Sequence, residues 1–357
     1  MLFHDISAAS RWRLGLVRPV RHNSAAGSAP WRTATVLSER IQAVRGLIMV
    51  LLVAFHAIAT DADTAANTAG LPAMMFITHL FDYIRMPVFG FVAGFVYALK
   101  PISRNTRKEF ATRKVMRLLV PCAIATALTC ILQLAGQAHV PASWRLHEAW
   151  RIYLYPTYQF WFVQALLVDF ALIAALEAAG ALRTIRRFMV VVAIAITALV
   201  WLPAPPTTFF SIPQSEYLLP FFLLGLGMNR FRAELLTSTV ASASLALLFG
   251  GLVIQCTSIA LDPAYRLDRG SLLSVAVGCS ASLCAICWVP RIKLLRLLGG
   301  FSFAIYLYHL AFIGVVAHLC KLAAFRSAVP LAIALIGAGI LGVQGSRVLR
   351  SAMLGMR

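Results

Sequence analysis

Charged residues are scarce in this chain. Asp, Glu, Lys and Arg make up 13% of its 357 residues, about half the ~25% of a soluble domain. Apolar residues fill 60% of the sequence, and the mean hydropathy is +0.81. That balance excludes a soluble globular enzyme, a disordered protein and a small disulfide scaffold. Familiar catalytic signatures are missing as well. There is no Walker motif, GxSxG, HExxH or dinucleotide fingerprint in a usable context, so hydrolase, NTPase and metalloprotease readings have no support. Of the seven cysteines, six fall within apolar runs and Cys320 at the end of one. Cys284 and Cys287 form a CxxC, but cysteine at helical spacing in lipid acts as a small apolar residue, so no redox or metal site is expected. The first 36 residues carry no apolar core of a secretory signal.

What the chain does have is long apolar runs. Ten lie near 41–60, 74–99, 118–136, 158–179, 188–202, 216–229, 237–260, 271–289, 298–319 and 329–345. A span needs about 20 residues. Lipid leaves only helices and closed barrels as spanning forms, and the alternation of a barrel is absent. The sequence therefore predicts an all-α polytopic membrane bundle of about ten helices. The formal charge of +19 raises nucleic acid as a partner, but the placement of the basic residues explains it better. With the N-terminus inside, 24 of the 32 Lys and Arg fall in inner segments, six in outer ones, and Arg45 and Arg85 within spans. This asymmetry predicts both termini in the cytoplasm.

Residues 1–36, rich in Arg, Ser and Ala with Asp5 their one acid, read as a basic, disordered cytoplasmic tail or a start assigned too early. Their composition also resembles a transit peptide. Residues 37–357 form the transmembrane domain. The outer loop 137–157, with Pro141, Trp144, His147, Trp150 and Tyr153, reads as an aromatic flap on the membrane surface.

Ionisable groups within spans cost about 2.5–3.5 kcal/mol each at mid-membrane, so each is a candidate for function. Arg45 and His56 are eleven helical steps apart, about 1100° of rotation and about 16 Å of rise. They share one helix face. A fixed cation near the cytoplasmic end suits phosphate or carboxylate, and an imidazole deeper in suits proton abstraction. Snorkelling by Arg45 and a helix–helix hydrogen bond from His56 explain the spacing equally well. His79, Asp82 and Arg85 share a face, with Asp82 and Arg85 placed to pair. They form an internal ion pair or a polar cavity wall. Gly90 and Gly94 permit close helix approach. Lys114 and Arg117, with Arg113 beside them, anchor the third span by positive charge or cradle phosphates. Farther on, Gln159, Trp161, Gln164, Asp169, Glu216, Ser302, Tyr306, Tyr308 and His309 add polar groups to later spans. Interface anchoring and hydrogen-bonded core are the plain readings of these.

Taken together, these stretches resemble the acyltransferase-3 family of integral membrane acyltransferases. Arg45 to His56 matches that family's R-x10-H in its first span. "RMPVFGFVAGF" (85–95) resembles its "MPLFFFLSGF", and "KVMRLLVP" (114–121) its RxxR-x-x-x-P. "WFVQALL" (161–167) is similar to a "WFL-x-x-LL" element, and "FSFAIYLYHL" (301–310) to a late "SYGIYLIH". "FDYIRMPVF" with "FWFVQALLVDF" is similar to the compact bacterial inner-membrane branch related to fucose 4-O-acetylase. Two departures stand out. Lys114 replaces the first Arg of RxxR, keeping the charge without the bidentate fork. Ala93 replaces the usual Ser before Gly94.

The resemblance implies transfer of an acyl group, commonly acetyl, from cytoplasmic acyl-CoA to a hydroxyl of an envelope glycan or lipid-linked sugar. Acyl-CoA is then a donor substrate, and no bound cofactor or metal is expected. On this reading Arg45, Arg113, Lys114 and Arg117 hold the CoA phosphates and His56 is the general base. Asp82, Arg85, Trp161, Tyr306 and His309 line the substrate cavity, with Tyr306 or Arg85 as oxyanion donor. The lipid bilayer is the other partner, and nucleic acid is not one. The competing reading is a membrane transporter or exporter of a sugar or small metabolite, which needs no cradle for CoA.

Overall fold

An apolar backbone in lipid must satisfy its own N–H and C=O groups, and the computed structural model of the chain does so with helices alone. It describes residues 34–64, 76–77, 79–99, 101–102, 107–135, 150–262 and 267–322, among which there is no strand. Most of the basic tail, most of the 137–157 loop and the tenth apolar run at 329–345 lie outside the described residues. So does the glycine stretch Gly337, Gly339, Gly342 and Gly345.

The helices are α1 (Ala34–Thr64), α2 (Asp82–Leu99), α3 (Arg107–Lys114) and α4 (Val120–Ala135), then α5 (Trp161–Ala178), α6 (Ile185–Trp201) and α7 (Ile212–Arg230). They continue with α8 (Ser238–Leu261), α9 (Leu272–Trp288), α10 (Lys293–Gly300) and α11 (Ser302–Leu322). A π-helical turn, Val115–Leu119, joins α3 to α4. Each of the nine apolar runs that fall among the described residues contains a helix. Among the described residues five stretches are long and apolar enough to cross a membrane: Val36–Ile58, Asp82–Leu99, Lys108–Ile131, Arg151–Ala178 and Ser238–Leu261. The run at 298–319 is interrupted. Its helix, α11, meets α10 at an 80° bend, and the two together make a sixth candidate span. The Gly299–Gly300 pair sits at that bend, where glycine weakens helical continuity. Side chains on α6 and α8, among them Val190, Ile194, Leu247, Phe249 and Ile254, face outward. In water such apolar surface would be a liability, whereas in a bilayer it is the solvated face.

Two glycine crossings hold the centre. In the first, a Cβ on Gly94 of α2 would overlap the carbonyl of Phe222 in α7, and one on Gly225 of α7 would overlap the carbonyl of Phe91 in α2. Each helix therefore lends the other a smooth notch, so the backbones approach closely. The Gly90–Gly94 spacing lies at this crossing. In the second, Gly46 of α1 faces the Leu295 carbonyl of α10, and Gly299 of α10 faces the Gln42 carbonyl of α1.

Contacts along each pair also give the helices relative directions. Gly90 meets Leu218, and Phe95 accepts a hydrogen bond from Asn229 Nδ2 at 2.9 Å, so α2 and α7 run parallel. Ser211 bonds Gln164 at 2.6 Å and Ser215 bonds Asp169 at 2.7 Å, which sets α5 parallel to α7. Ser244 meets Cys284 and Gly251 faces Val277, so α8 and α9 are antiparallel. Gln164 and Asp169 are thus buried cross-links between helices.

Candidate functional site

Helix α1 carries Arg45 and His56 toward one neighbour, α11. Arg45 Nε donates to Ser302 Oγ at 2.9 Å, and its Nη1 reaches Gln42 Oε1 at 3.5 Å. Farther along, the rings of His56 and His309 face each other with centroids 4.9 Å apart and planes tilted by 49°. Ser302 precedes His309 as Arg45 precedes His56, so the two helices run parallel.

His309 is fully buried. Its Nδ1 lies 2.8 Å from the Tyr306 carbonyl. A carbonyl only accepts, so Nδ1 carries the proton and Nε2 holds a lone pair. That Nε2 is buried and has no hydrogen-bond partner among the described residues. The Tyr306 hydroxyl donates to the Gln159 carbonyl, and Gln159 Nε2 donates back to the Leu307 carbonyl at 3.1 Å. This reciprocal pair clamps α11 against the turn Tyr158–Phe160. It also occupies the Tyr306 hydroxyl.

The first turn of α2 adds a cation. Arg85 Nη2 pairs with Asp82 Oδ1 at 3.0 Å, as the i,i+3 spacing predicts. The Arg85 guanidinium stacks 3.5 Å above the ring of Phe55, the residue before His56, and its Nη1 is buried with no acceptor among the described residues. Asp82 also receives Arg269, from Nη2 at 3.1 Å and Nε at 3.3 Å. Burial alone would lower the Arg269 pKa, but the neighbouring Asp82 carboxylate outweighs it and raises the value. Arg269 was not legible in the sequence. It sits in the loop before α9, 187 positions from Asp82, and no local spacing links the two. His79 stands apart from this network, exposed, with its carbonyl accepting from Gln255 at 2.9 Å.

The cations at 113–117 lie at the other end of α2. Tyr97 meets Phe110 and Phe170 with centroids 6.0 Å apart in each pair. Fifteen residues separate Tyr97 from Asp82, about 22 Å along a helix. Lys114 Nζ sits 3.4 Å over Phe170 and 5.2 Å from Phe110, an aromatic seat closed by Tyr97 and Phe222. Arg113 pairs with Glu109 along α3. Arg117 lies exposed in the π turn, a local geometry that recurs at functional sites. Arg45 and Lys114 thus belong to the same end of the bundle, although their named partners do not overlap.

Trp161 opens α5 half-buried and stands edge-on to Phe162 at 6.0 Å. Phe162 in turn meets Tyr306 at 5.5 Å. All five residues expected of a cavity wall, Asp82, Arg85, Trp161, Tyr306 and His309, are therefore joined to His56 by short chains of contact.

A family model described as Acyl_transf_3, an acyltransferase domain, matches residues 38–344. Comparisons with curated proteins and with solved structures find nothing that matches. That domain covers most of the chain, from residue 38 in the first turns of α1 through α11, and several of those helices are long and apolar enough to cross a membrane. The chain belongs to the acyltransferase-3 family and is a multi-pass membrane acyltransferase.

Proposed function

We propose that this acyltransferase takes an acyl group, acetyl by preference, from acyl-CoA on the cytoplasmic side of a bacterial inner membrane. It passes the group to a hydroxyl of an envelope glycan or lipid-linked sugar on the other side. The observation that carries this reading is the double contact between α1 and α11. It fixes a cation, Arg45, about 16 Å along the helix from a pair of facing imidazoles.

Arg45 sits at the same end as Arg113, Lys114 and Arg117, and this cationic end suits the phosphates of CoA. Its fork, held by Ser302 and Gln42, keeps the charge aimed without a competing carboxylate. His56 is the general base. It accepts the proton of the acceptor hydroxyl as that oxygen attacks the thioester carbonyl. The tetrahedral oxyanion then collapses, the C–S bond breaks, and the proton on His56 goes to the departing CoA thiolate. General-base help of this kind is worth about 10²–10⁴-fold. For the oxyanion, Arg85 is better placed than Tyr306, because Arg85 Nη1 has hydrogens to give and the Tyr306 hydroxyl is already spent on Gln159. The parallel and antiparallel helix pairs fit an up-and-down frame, and the reading of ten spans with both termini in the cytoplasm rests on the apolar runs and the placement of Lys and Arg.

Mass spectrometry of envelope glycans tests the reaction, using deletion cells that carry wild type or His56→Ala. Acyl ester restored by wild type alone, at equal membrane abundance, is the expected result. Ester unchanged across all strains refutes the acceptor class. For the donor, CoA should protect the detergent-solubilised protein from heat, and Arg45→Ala should abolish that protection. Equal protection in both would remove Arg45 from the donor site.

A further inference from the structure

Helix α10 turns a mixed face outward. Leu294 and Leu297 lie three apart on it and are 61% and 58% exposed. Lys293 and Arg296 lie three apart beside them, offset by one residue or about 100°. The opposite side is closed, because Gly299 and the Leu295 carbonyl press on α1. Just before the helix, Trp288 and Ile292 are exposed as well. The axis of α10 stands at 80° to that of α11. Since α11 has 21 residues, it is long enough to cross a bilayer without α10. A helix set across the spanning direction, with leucines and cations side by side on its open face, suits the plane of the membrane–water interface.

The cations are arranged around one carboxylate. Glu39 of α1 accepts from Arg291 Nη1 at 3.1 Å and from Arg296 Nη1 at 2.9 Å. Next to Glu39, Arg40 Nη1 donates to the carbonyls of Ile286 and Cys287 in the last turn of α9. Arg40, Arg291, Lys293 and Arg296 thus share one acid, and the cluster keeps an excess of positive charge. It also keeps unused donors. Arg40 Nε and Arg296 Nε are buried with no acceptor among the described residues. Lys293 is exposed and forms no ion pair among the described residues. The N–H groups that open α10 have no side-chain cap, and a helix end of this kind favours an anion.

We infer that this cluster binds the phosphate of an anionic phospholipid, with Arg291, Lys293 and Arg296 on the headgroup and Leu294 and Leu297 against the acyl chains. Clustered cations with spare N–H groups select a phosphate. The exposed leucines decide its source, because a free phosphate or a nucleotide makes no use of apolar surface beside it. Glu39 holds two of the arginines in place without cancelling the charge, so the headgroup meets a preformed site rather than loose side chains. Apart from α1, on which the cluster rests, none of this overlaps Arg45, Arg113, Lys114 and Arg117, the cations given to CoA above. The acyl-transfer reading plays no part in the binding.

Native mass spectrometry of the full-length protein in detergent tests this, with equal amounts of phosphatidylglycerol and phosphatidylcholine as probes. Wild type should retain phosphatidylglycerol at least about fivefold over phosphatidylcholine. Arg291→Gln combined with Lys293→Gln should abolish that preference at an unchanged melting temperature, since both side chains are exposed. Leu294→Ser combined with Leu297→Ser should weaken retention of both lipids. Arg183→Gln combined with Arg186→Gln removes two exposed cations at the start of α6 and should leave the preference as in wild type. Four results each overturn the proposal. They are equal retention of the two lipids by wild type, a preference that survives in the Arg291 and Lys293 variant, an equal loss in the Arg183 and Arg186 variant, and retention untouched by the leucine changes. Displacement of phosphatidylglycerol by inorganic phosphate or by CoA at the same concentration overturns it too, by making the site one for a soluble phosphate.

Discussion

Arg45 Nε donates to Ser302 Oγ at 2.9 Å across 257 positions of sequence, and eleven residues later His56 faces His309. Two contacts in the same order fix both the neighbour and the direction of α1. They also make one site from the first membrane segment and one of the last. Neither segment has both halves. α1 supplies the cation and an imidazole, and α11 supplies the hydroxyl that aims the cation and a second imidazole of defined tautomer.

Ser302→Ala should therefore act on the donor without touching it. A hydrogen bond to a charged group contributes about 1.5–3 kcal/mol. Releasing Arg45 should raise KM for acyl-CoA by roughly tenfold with little change in kcat. Arg45→Lys should not restore wild-type KM, because an ammonium cannot hold Ser302 and Gln42 as a planar fork does. Steady-state kinetics on the purified protein measure both.

His309→Asn separates position from basicity. The amide can still donate to the Tyr306 carbonyl, but it offers no lone pair where Nε2 stands. If His309 assists His56, kcat should fall at least about tenfold, short of the 10²–10⁴ expected for loss of the base itself, with KM unchanged. The pH–rate profile should change shape as one titrating group leaves the site. A wild-type profile and rate in His309→Asn would reduce His309 to packing.

At a glycine crossing the space opposite the missing Cβ decides what a methyl costs. Gly94→Ala places a Cβ into the Phe222 carbonyl and should destabilise by about 1–3 kcal/mol through overpacking. Gly250→Ala meets nothing within 4 Å and should stabilise by roughly 0.5–1 kcal/mol through helix propensity. Opposite shifts of melting temperature in detergent are the check.

Asp82 serves two arginines of unequal burial. Arg85 is 4% exposed at its side chain and Arg269 50%. Asp82→Asn strands a buried cation and should destabilise by about 3–5 kcal/mol. Arg269→Gln removes a half-exposed partner and should destabilise by about 1 kcal/mol or less. Equal losses in the two variants would show that Arg85 does not depend on the pair.

Some of the site is legible in the sequence because helical period is a local rule. Arg45 and His56 share a face, Asp82 and Arg85 pair, and Gly90 with Gly94 marks a close crossing, all from spacing alone. The partners are not legible. Gly94 needs a smooth backbone opposite it, but nothing in 90–94 says that Phe222 and Gly225 provide it. Arg269 has no local relation to Asp82. Lys114 looks like a phosphate ligand by its basic neighbours, yet it rests on Phe170, a residue of another helix. The bend at Gly300 is hidden because the apolar end of α10, Leu297 to Gly300, runs straight on into the apolar α11, and hydropathy does not register a change of axis.

By itself the sequence determined the solvent of this protein, the helical form of its segments and the residues on each face. Scarce charge forces lipid contact, lipid forces internal backbone hydrogen bonds, and the 3.6-residue period then places every side chain around its own axis. Only the tertiary structure decided which faces meet, that α1 lies parallel to α11, and that the His309 ring, held through Nδ1 by the Tyr306 carbonyl, comes to rest beside His56. Those outcomes depend on close packing between segments hundreds of residues apart, where a single carbonyl against a glycine selects the neighbour, and no local pattern carries that information.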